Sequence, residues 1–393
     1  VVFMCKKPFF IDPMSYLFGQ PYEKFKKRVK KGAPEFKPSF YRLMKGHGMN
    51  PEEYLNIGYT ELLRKLNKSE NDIRSFVDNC FNFQWNNVWD VVQQSTDLLT
   101  EEEMLSLKEE DYRPVFLVPP YFLYGYEPDS VTTALNEKIL NYCWQEKSGQ
   151  YRVYPMVFID KQQLISPSIH RIINIVRKYH FPGYVLWIED FDERFVSKEQ
   201  VINLIKLVNQ LSEDNAQIVM LFGGFFSTVL TYYGLSCVCH GIAYGESRSI
   251  LASTQERSGP APIRYYMRDF HTFLPIESAL IVLRQLPELM CNCPICQRVL
   301  RGNPENVTLF SDEEALAEMH FLYNRYQERK LIANHKIEDI IEHLDWVISL
   351  YEDITDITKP YKTTYGYQNR SIIDPDYIRI WKSAYEETKE LVK

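Results

Sequence analysis

Short apolar runs alternate with longer amphipathic stretches from residue 114 onward. The runs are PVFLV (114–118), YRVYPMVFI (151–159), GYVLWI (183–188), AQIVMLF (216–222), LSCVC (235–239) and IRYYM (263–267). Between them, apolar residues recur at helical spacing in 129–146, 161–179, 197–212, 225–233 and 275–286. Strand–helix alternation of this kind predicts a parallel sheet covered by helices.

The number of strand–helix pairs approaches that of a TIM (β/α)8 barrel. FFIDP (9–13) adds a strand candidate at the start, helix-rich sequence follows at 51–110, and a short eighth element lies near 287–290. A doubly wound sheet is the alternative, but no glycine-rich phosphate loop follows the first strand. We therefore expect an α/β fold with a TIM-like barrel, a structural zinc site and helical additions.

The same pattern suggests how the chain is organised. We expect residues 1–335 to form the barrel, with a helical insertion at about 51–110 and a zinc-binding subdomain at 291–335. The segment 336–393 has no strand pattern and is expected to pack on the barrel as helices, with His335–Asp353 and Asp374–Lys393 as candidates.

Composition narrows the class of protein. The net charge of −7 gives no overall attraction to nucleic acid, so such contacts would need a local patch. Six Lys and Arg residues fall within 24–31, which fits either such a patch or a solvated loop. No run approaches the roughly 20 apolar residues that span a bilayer, and no signal peptide pattern precedes the fold. We expect a cytoplasmic protein without a membrane partner, in which clustered cysteines indicate metal binding.

Chemically active side chains follow several of the apolar runs. They are Asp12, Asp160, Glu189, Asp190, Asp192, Glu193, His240, Arg268, Asp269 and His271. In TIM barrels the active site lies at the carboxyl ends of the strands, where such groups converge. A single carboxylate after a strand is commonly a helix cap or part of a surface turn. The prediction of an active site therefore depends on the recurrence of such groups after several of the runs.

Three cysteines within six residues predict a metal site. Cys291, Cys293 and Cys296 supply three thiolates, and His320, 24 residues further on, supplies an imidazole at the start of a helical stretch. His335 is the alternative fourth ligand. Three sulfurs and one nitrogen close a tetrahedral zinc shell and indicate a structural zinc ion. Unligated exposed thiols in such a cluster would oxidise.

This CxCxxC pattern with a distant histidine resembles the zinc motif of the tRNA-guanine transglycosylases. The segment HFLYNRYQERK (320–330) resembles the helix that carries their histidine ligand. Phe222–Gly224 and Gly241–Glu246 resemble the glycine-containing strand ends of their base pocket, and Arg264–Met267 resembles the following strand. The resemblance covers roughly residues 180–335 and implies a zinc-stabilised barrel that acts on a base–sugar bond.

The segments that carry the two catalytic aspartates of the tRNA enzymes are missing. In their place, Phe10–Met14, His240–Ser247 and Arg268–His271 look more like the DNA-acting branch of the superfamily. Members of that branch insert a deazaguanine into DNA, and phage-defence DNA glycosylases that excise glucosylated hydroxymethylcytosine are similar to it. The resemblance implies DNA with a flipped-out base as partner, with a free base as a possible small-molecule substrate.

Cleaving a base–sugar bond requires an anionic group near the anomeric carbon and a proton donor for the departing base. We expect Asp12 to be one catalytic carboxylate, with Asp190 or Glu246 as the other. Phe10 and Ile11 precede Asp12, and burial there would raise its pKa, although a turn or N-cap role before Pro13 fits as well. The expected substrate-binding residues are Glu189, Asp192, Tyr121, Tyr124, His240, Tyr244, Arg248, Asp269 and His271.

These candidates have alternative roles. One of Glu189, Asp190 and Asp192 is expected in the pocket, while the others face solvent. The tyrosines would stack on an extruded base, or simply pack in the core. His271 would orient a carboxylate, contact a phosphate or pack internally.

Four functions fit the sequence, and two are nearly balanced. Excision of a modified base, leaving an abasic site, is slightly favoured over base exchange. Transglycosylation of tRNA is disfavoured because nothing after residue 336 resembles a strand-rich RNA-binding module. The fourth hypothesis belongs to a different functional class: a non-catalytic, zinc-stabilised protein that recognises modified DNA.

Overall fold

The fold was analysed in a computed structural model, which describes residues 7–21, 25, 36–94, 107–127, 129–241, 246–250, 263–362 and 375–393. In these residues the α-helices are α1 (Pro38–Gly46), α2 (Pro51–Lys68), α3 (Glu70–Gln94), α4 (Val131–Tyr142), α5 (Ser168–Arg177), α6 (Lys198–Leu211), α7 (Phe225–Val229), α8 (Ile276–Gln285), α9 (Pro294–Val299), α10 (Glu314–Asn334), α11 (Ile337–Lys362) and α12 (Asp376–Glu387). Several begin and end within a few residues of the predicted helical stretches.

The strands are β1 (Met156–Asp160), β2 (Gly183–Glu189), β3 (Gln217–Leu221), β4 (Leu235–Cys239), β5 (Arg264–Met267) and β6 (Thr272–Pro275). The first four form a parallel sheet in the order β1-β2-β3-β4, with Phe158 opposite Trp187 in the register. Every residue of β2 is buried, as expected of a parallel strand covered on both faces. The prediction of an α/β fold with a parallel sheet is therefore confirmed.

Two predicted strands, PVFLV and FFIDP, are not formed, and the short eighth element predicted near 287–290 is a 3-10 helix (Pro287–Leu289). In PVFLV, only Leu117 forms a bridge, to Val153. The buried side chain of Gln84 on α3 bonds both backbone groups of Val118, accepting from its amide at 2.9 Å and donating to its carbonyl at 2.7 Å. A side chain thus satisfies the backbone groups that a strand ladder would otherwise pair.

FFIDP is not a strand either. Pro8 precedes this segment and Pro13 ends it, and neither has an amide hydrogen to donate to a ladder. One backbone bond, from the Val115 amide to the Phe9 carbonyl at 2.9 Å, ties the segment to its neighbour.

The run IRYYM forms a strand, but it does not join the parallel sheet. β5 pairs with β6 as an antiparallel hairpin, with Met267 opposite Thr272. The four residues between the two strands are too few for the crossover that parallel strands require. An eight-stranded barrel is not formed by the residues that the structure describes, and the barrel remains a prediction.

The chain divides into two compact units. The first comprises residues 1–189 and 211–219, and the second comprises 190–210 and 220–393. The first unit contains α1–α5, β1 and β2. The second contains β4, the β5–β6 hairpin and the C-terminal helices, and in it the Trp381 indole donates to the Glu193 carbonyl at 2.9 Å. In the described part of the chain, no helix has the length and apolar content needed to traverse a bilayer.

Candidate functional site

Four predicted metal ligands meet in the second unit. The ligand atoms of Cys291, Cys293, Cys296 and His320 all lie within 4.8 Å of one another. The His320 Nδ1 is 3.4 Å from the Cys293 Sγ and 3.2 Å from the Cys296 Sγ. Zinc–sulfur bonds of about 2.3 Å and zinc–nitrogen bonds of about 2.0 Å in a tetrahedron place such atoms roughly 3.5 Å apart. The cluster can therefore hold a metal ion, and its dimensions suit zinc.

Neighbouring groups hold these ligands in position. The His320 Nε2 donates to the Tyr266 carbonyl at 2.8 Å, which leaves Nδ1 for the metal. The Tyr265 hydroxyl lies 3.1 Å from the Cys296 Sγ, and its ring stacks on the His320 imidazole. Cys293, Cys296 and His320 are almost wholly buried, whereas Cys291 is partly exposed. A buried, fully supported shell is typical of a structural site.

Local sequence accounts for the cysteine turn. Cys293 is the N-cap of α9, and its sulfur accepts from the Cys296 amide at 3.3 Å, while Pro294 occupies the first helical position. Hydrogen bonds from Cys293 and Cys296 lower the pKa of Cys291, which favours a thiolate at that position.

The position of the histidine ligand needs one correction. His320 lies within α10, which begins at Glu314, and does not start the helix as predicted. The alternative ligand, His335, is exposed at the end of α10 and its Nδ1 donates to the Leu331 carbonyl at 2.8 Å. His335 is therefore not part of the cluster.

A second cluster in this unit surrounds a buried carboxylate, Glu193. It accepts four hydrogen bonds at the start of α7. The donors are the amides of Gly224 (2.7 Å), Phe226 (3.1 Å) and Ser227 (2.9 Å), together with the Ser227 hydroxyl. Burial raises the pKa of Glu193, while these bonds act in the opposite direction. The residue fixes the loop that follows β3.

Glu246 lies beside the same loop. A Cβ atom at Gly224 would be 2.7 Å from Glu193 Oε2 and 3.1 Å from Glu246 Oε1, so only glycine leaves room for both carboxylates. The Glu246 side chain is 18% exposed and accepts from Arg325. Burial raises the pKa of Glu246 to about 7, with Glu193 adding to the effect and Arg325 opposing it.

Arg325 connects Glu246 to a buried network of hydrogen-bonded polar groups. Its Nη1 is 2.9 Å from Glu328 Oε2, and both side chains are buried. Glu328 Oε1 accepts from the Tyr266 hydroxyl and from His271 Nδ1, each at 2.7 Å. Burial alone would raise the pKa of Glu328, but Arg325 and His271 outweigh it and lower the pKa. Glu328 therefore balances the charge of Arg325.

This hydrogen-bond network ends at a pair of histidines. His271 Nε2 lies 2.9 Å from His343 Nε2, and the His271 ring stacks on Phe225. Burial and the neighbouring His271 lower the pKa of His343 to about 4. His271 thus orients Glu328, one of the roles expected for it, and is buried in the core of the unit.

The structure brings Asp190 close to the segment that carries Glu246. The Asp190 amide donates to the Arg248 carbonyl at 3.1 Å, two residues beyond Glu246. Asp190 is exposed and has a positive φ of 54°, a strained conformation that recurs at functional sites. The Arg248 guanidinium lies over the Phe222 ring, 5.5 Å from its centre.

Other predicted residues of the second unit have local partners. Asp192 pairs with Arg194 at 2.8 Å, and Asp269 pairs with Arg268 at 3.2 Å. The His240 Nδ1 donates to the Gly241 carbonyl at 3.1 Å, and burial lowers the pKa of His240.

The remaining predicted residues belong to the first unit or lie outside the described residues. Asp12 accepts from the Met14 amide at 2.8 Å and from the Tyr121 hydroxyl at 2.7 Å, which gives it a turn-forming role. Tyr121 and Tyr124 are each only 2% exposed, and Glu189 is buried at the end of β2. Tyr244 and the six Lys and Arg residues within 24–31 lie outside the described residues.

Sequence reasoning did not identify Arg325, Glu328 and His343. The signal available was the pair of opposite charges three residues apart on α10, on a helix face that also carries the apolar residue Phe321. Such pairs are usually solvated, and only tertiary packing buries this one.

Replacing Glu193 with glutamine should lower the free energy of unfolding by roughly 1–3 kcal/mol, because the new amide would face the Phe226 amide, donor against donor. Urea unfolding monitored by tryptophan fluorescence measures the change. Glu199→Gln, at an exposed position in the first turn of α6, is the control. Equal stability of the two variants would contradict a capping role.

Glu246 should make stability depend on pH. The pKa of Glu246 in the folded protein, about 7, exceeds its ordinary value of 4.5. Its contribution to the free energy of unfolding is therefore fully present below pH 4.5 and is lost as pH rises through 7. The free energy of unfolding of the wild type, minus that of Glu246→Gln, should fall across this window by up to about 3 kcal/mol. Urea titrations at several pH values provide the test, and a constant difference would contradict it.

No family model, curated protein or solved structure matches this chain.

Proposed function

We propose that the protein is an enzyme that cleaves the N-glycosidic bond of a nucleobase in DNA, with excision of a modified base favoured. The observation that carries the proposal is the position of the Glu246 carboxyl, largely buried beside Glu193 at Gly224, where burial raises its pKa to about 7 and so suits a proton donor at neutral pH. The sequence resemblance to the DNA-acting transglycosylase branch supports the substrate class, and a TIM-like barrel is part of the same proposal.

Two carboxyl groups in different environments support acid-assisted cleavage. Glu246 is largely buried beside Glu193, where its neutral form is favoured, whereas Asp190 is exposed to water. Such a division lets one group donate a proton while the other stabilises positive charge. The hydrogen bond from the Asp190 amide to the Arg248 carbonyl supports the placement of Asp190 and Glu246 on adjoining segments.

In the proposed step, the bond between the sugar anomeric carbon and the base nitrogen breaks, and its electron pair leaves with the base. Glu246 donates a proton to the departing base, and Asp190 faces the positive charge that develops on the sugar. Water then adds to the anomeric carbon and releases its proton, leaving an abasic site.

The ion proposed for the cysteine cluster is zinc in a structural role. Cys291, Cys293, Cys296 and His320 would hold it, and four protein ligands leave no position for substrate. When bound, the ion would stabilise the region around α9 and α10 and supply no reaction chemistry. Because α10 also carries Arg325, the metal would help to position the partner of Glu246.

The proposal is tested by incubating the purified protein with phage DNA containing glucosylated hydroxymethylcytosine and with unmodified DNA. We expect mass spectrometry to detect release of the modified base, with alkali-sensitive abasic sites left in the DNA. If neither DNA releases a base until a free deazaguanine is added, base exchange is the activity. No reaction under either condition would refute the enzymatic proposal.

A non-catalytic role in recognising modified DNA is the second candidate. The pairing of Glu246 with Arg325 favours it, because a carboxylate engaged in this way also serves as a structural tie. Alanine at Asp12, Asp190 and Glu246 discriminates the two. A binder should retain its affinity for modified DNA and its function in cells, whereas an enzyme should lose function.

A further inference from the structure

A groove of about 590 Å³ lies between β4 and α10 in the second unit. Its described lining comes from β4 with the segments on either side of it and from one face of α10, and includes Ser236, His240, Leu322, Tyr326 and Arg329. Sites for organic ligands commonly measure about 300–1,000 Å³, whereas a water molecule occupies about 30 Å³. The groove therefore has room for an organic ligand and not only for a simple ion.

The charge of this groove is positive. Arg325 and Arg329, one helical turn apart on α10, both line it, and its described lining includes no aspartate or glutamate. Arg325 is balanced by Glu328, so the charge available to a ligand comes mainly from Arg329 and from Lys330, which is exposed beside it. In a chain with a net charge of −7, this is the kind of local basic patch that contact with nucleic acid requires.

An aromatic ring accompanies these charges. Tyr326 is exposed and lines the groove, and the Lys330 Nζ lies 4.7 Å from the centre of its ring. Leu322, one turn earlier on α10, is also exposed in the groove. Sites for single-stranded nucleic acid combine basic residues, which meet the phosphates, with aromatic rings on which bases stack. A simple anion or an acidic peptide would use the charges but not the ring, so the lining favours a nucleotide chain.

The groove adjoins the carboxyl group that we propose as the proton donor. Arg325 lines the groove and also donates to Glu246. One side chain therefore contacts both places, and a strand whose reacting nucleotide lies at Glu246 has its neighbouring nucleotides close to α10.

We propose that this groove binds the DNA strand beside the reacting nucleotide, with a phosphate at Arg329 and a neighbouring base against the Tyr326 ring. The identification of the strand as DNA rests on the proposed glycosidic function. The contact is non-covalent and independent of base sequence, since any base has a face that stacks. Because a phosphate contact releases counterions, the affinity should fall as the salt concentration rises.

The test is fluorescence anisotropy of the zinc-loaded full chain with labelled single-stranded oligodeoxythymidine, over a range of salt concentrations. Arg329→Gln should weaken binding and reduce the slope of log affinity against log salt concentration by about 0.7, the value for one phosphate contact on a single strand. Tyr326→Ala should weaken binding by roughly 10-fold, because a stacked base loses its partner. Tyr326→Phe keeps the ring and should bind like the wild type.

Arg301→Gln is the matched control, because Arg301 is exposed just after α9 and does not line the groove. It should change neither the affinity nor the salt slope. Circular dichroism and zinc content of each variant verify folding. Wild-type affinity and slope in both Arg329→Gln and Tyr326→Ala would overturn the proposal. Equal competition by polyglutamate, which has charge but no bases, would overturn it as well.

The binding experiment is separate from the test of the reaction, because oligodeoxythymidine contains no modified base to release. Failure to release a base from modified DNA would refute the enzymatic proposal without altering these affinities. Conversely, base release by the Tyr326→Ala/Arg329→Gln double variant with the wild-type rate and KM would overturn the role of the groove and leave the enzymatic proposal standing.

Discussion

Replacing Cys296 with serine should abolish stoichiometric zinc binding and lower the free energy of unfolding of the second unit by on the order of 5 kcal/mol. Metal binding to such sites contributes directly to folding, and a buried serine hydroxyl is a poor substitute for a thiolate. The metal content of purified protein and urea unfolding with and without a chelator measure the two effects. In the wild type, the chelator should reproduce the loss of stability.

Cys143→Ser is the matched control for this experiment, since it makes the same substitution at a buried thiol outside the cluster. It should retain one zinc ion per chain and show only the modest cost of a buried hydroxyl. Full zinc occupancy in Cys296→Ser, or no effect of chelation on the wild type, would contradict a structural metal site.

Replacing Glu246 with glutamine should reduce base release by about 10²- to 10⁴-fold, the usual contribution of a general acid. Glutamine preserves the shape of the side chain but has no carboxyl proton to donate. In the wild type, the rate should fall as pH rises through about 7, because Glu246 loses its proton there. Single-turnover rates on modified DNA between pH 5 and 9 measure both effects.

Glu305→Gln is the control, because Glu305 also pairs with an arginine, Arg284, but does so at the exposed surface. Its activity and pH profile should equal those of the wild type. If Glu246→Gln folds normally and releases base at the wild-type rate, Glu246 is not the proton donor.

The metal cluster was largely predictable from sequence, because three of its ligands lie within six residues. A tight turn with a proline brings such cysteines together whatever the rest of the fold does. The fourth ligand required a choice between His320 and His335. The structure selects His320, because α10 carries it against the Tyr266 carbonyl while His335 lies exposed beyond the helix.

The strands of the parallel sheet could also be predicted from the sequence. A strand covered on both faces is almost entirely apolar, and β2 shows this from Gly183 to Ile188, before Glu189 at its end. PVFLV has the same pattern but is not a strand. Gln84 from a distant helix bonds both backbone groups of Val118, and the backbone of Leu117 bonds that of Arg152 and Tyr154. Apolar character therefore predicted the burial of Phe116, Leu117 and Val118, but Val115 is exposed, and the hydrogen-bonding partners depended on tertiary contacts.

The sequence by itself determined the α/β class and the three cysteines of the candidate metal cluster, because both follow from local patterns of polarity and spacing. Only the tertiary structure placed Glu246 against Arg325, 79 residues away, and beside Glu193 at Gly224. The unusual pKa of Glu246 has the same origin, since removal of water and the approach of another carboxylate are consequences of packing. Any glutamate can donate a proton in principle, but the surrounding fold determines whether its pKa suits that role at neutral pH.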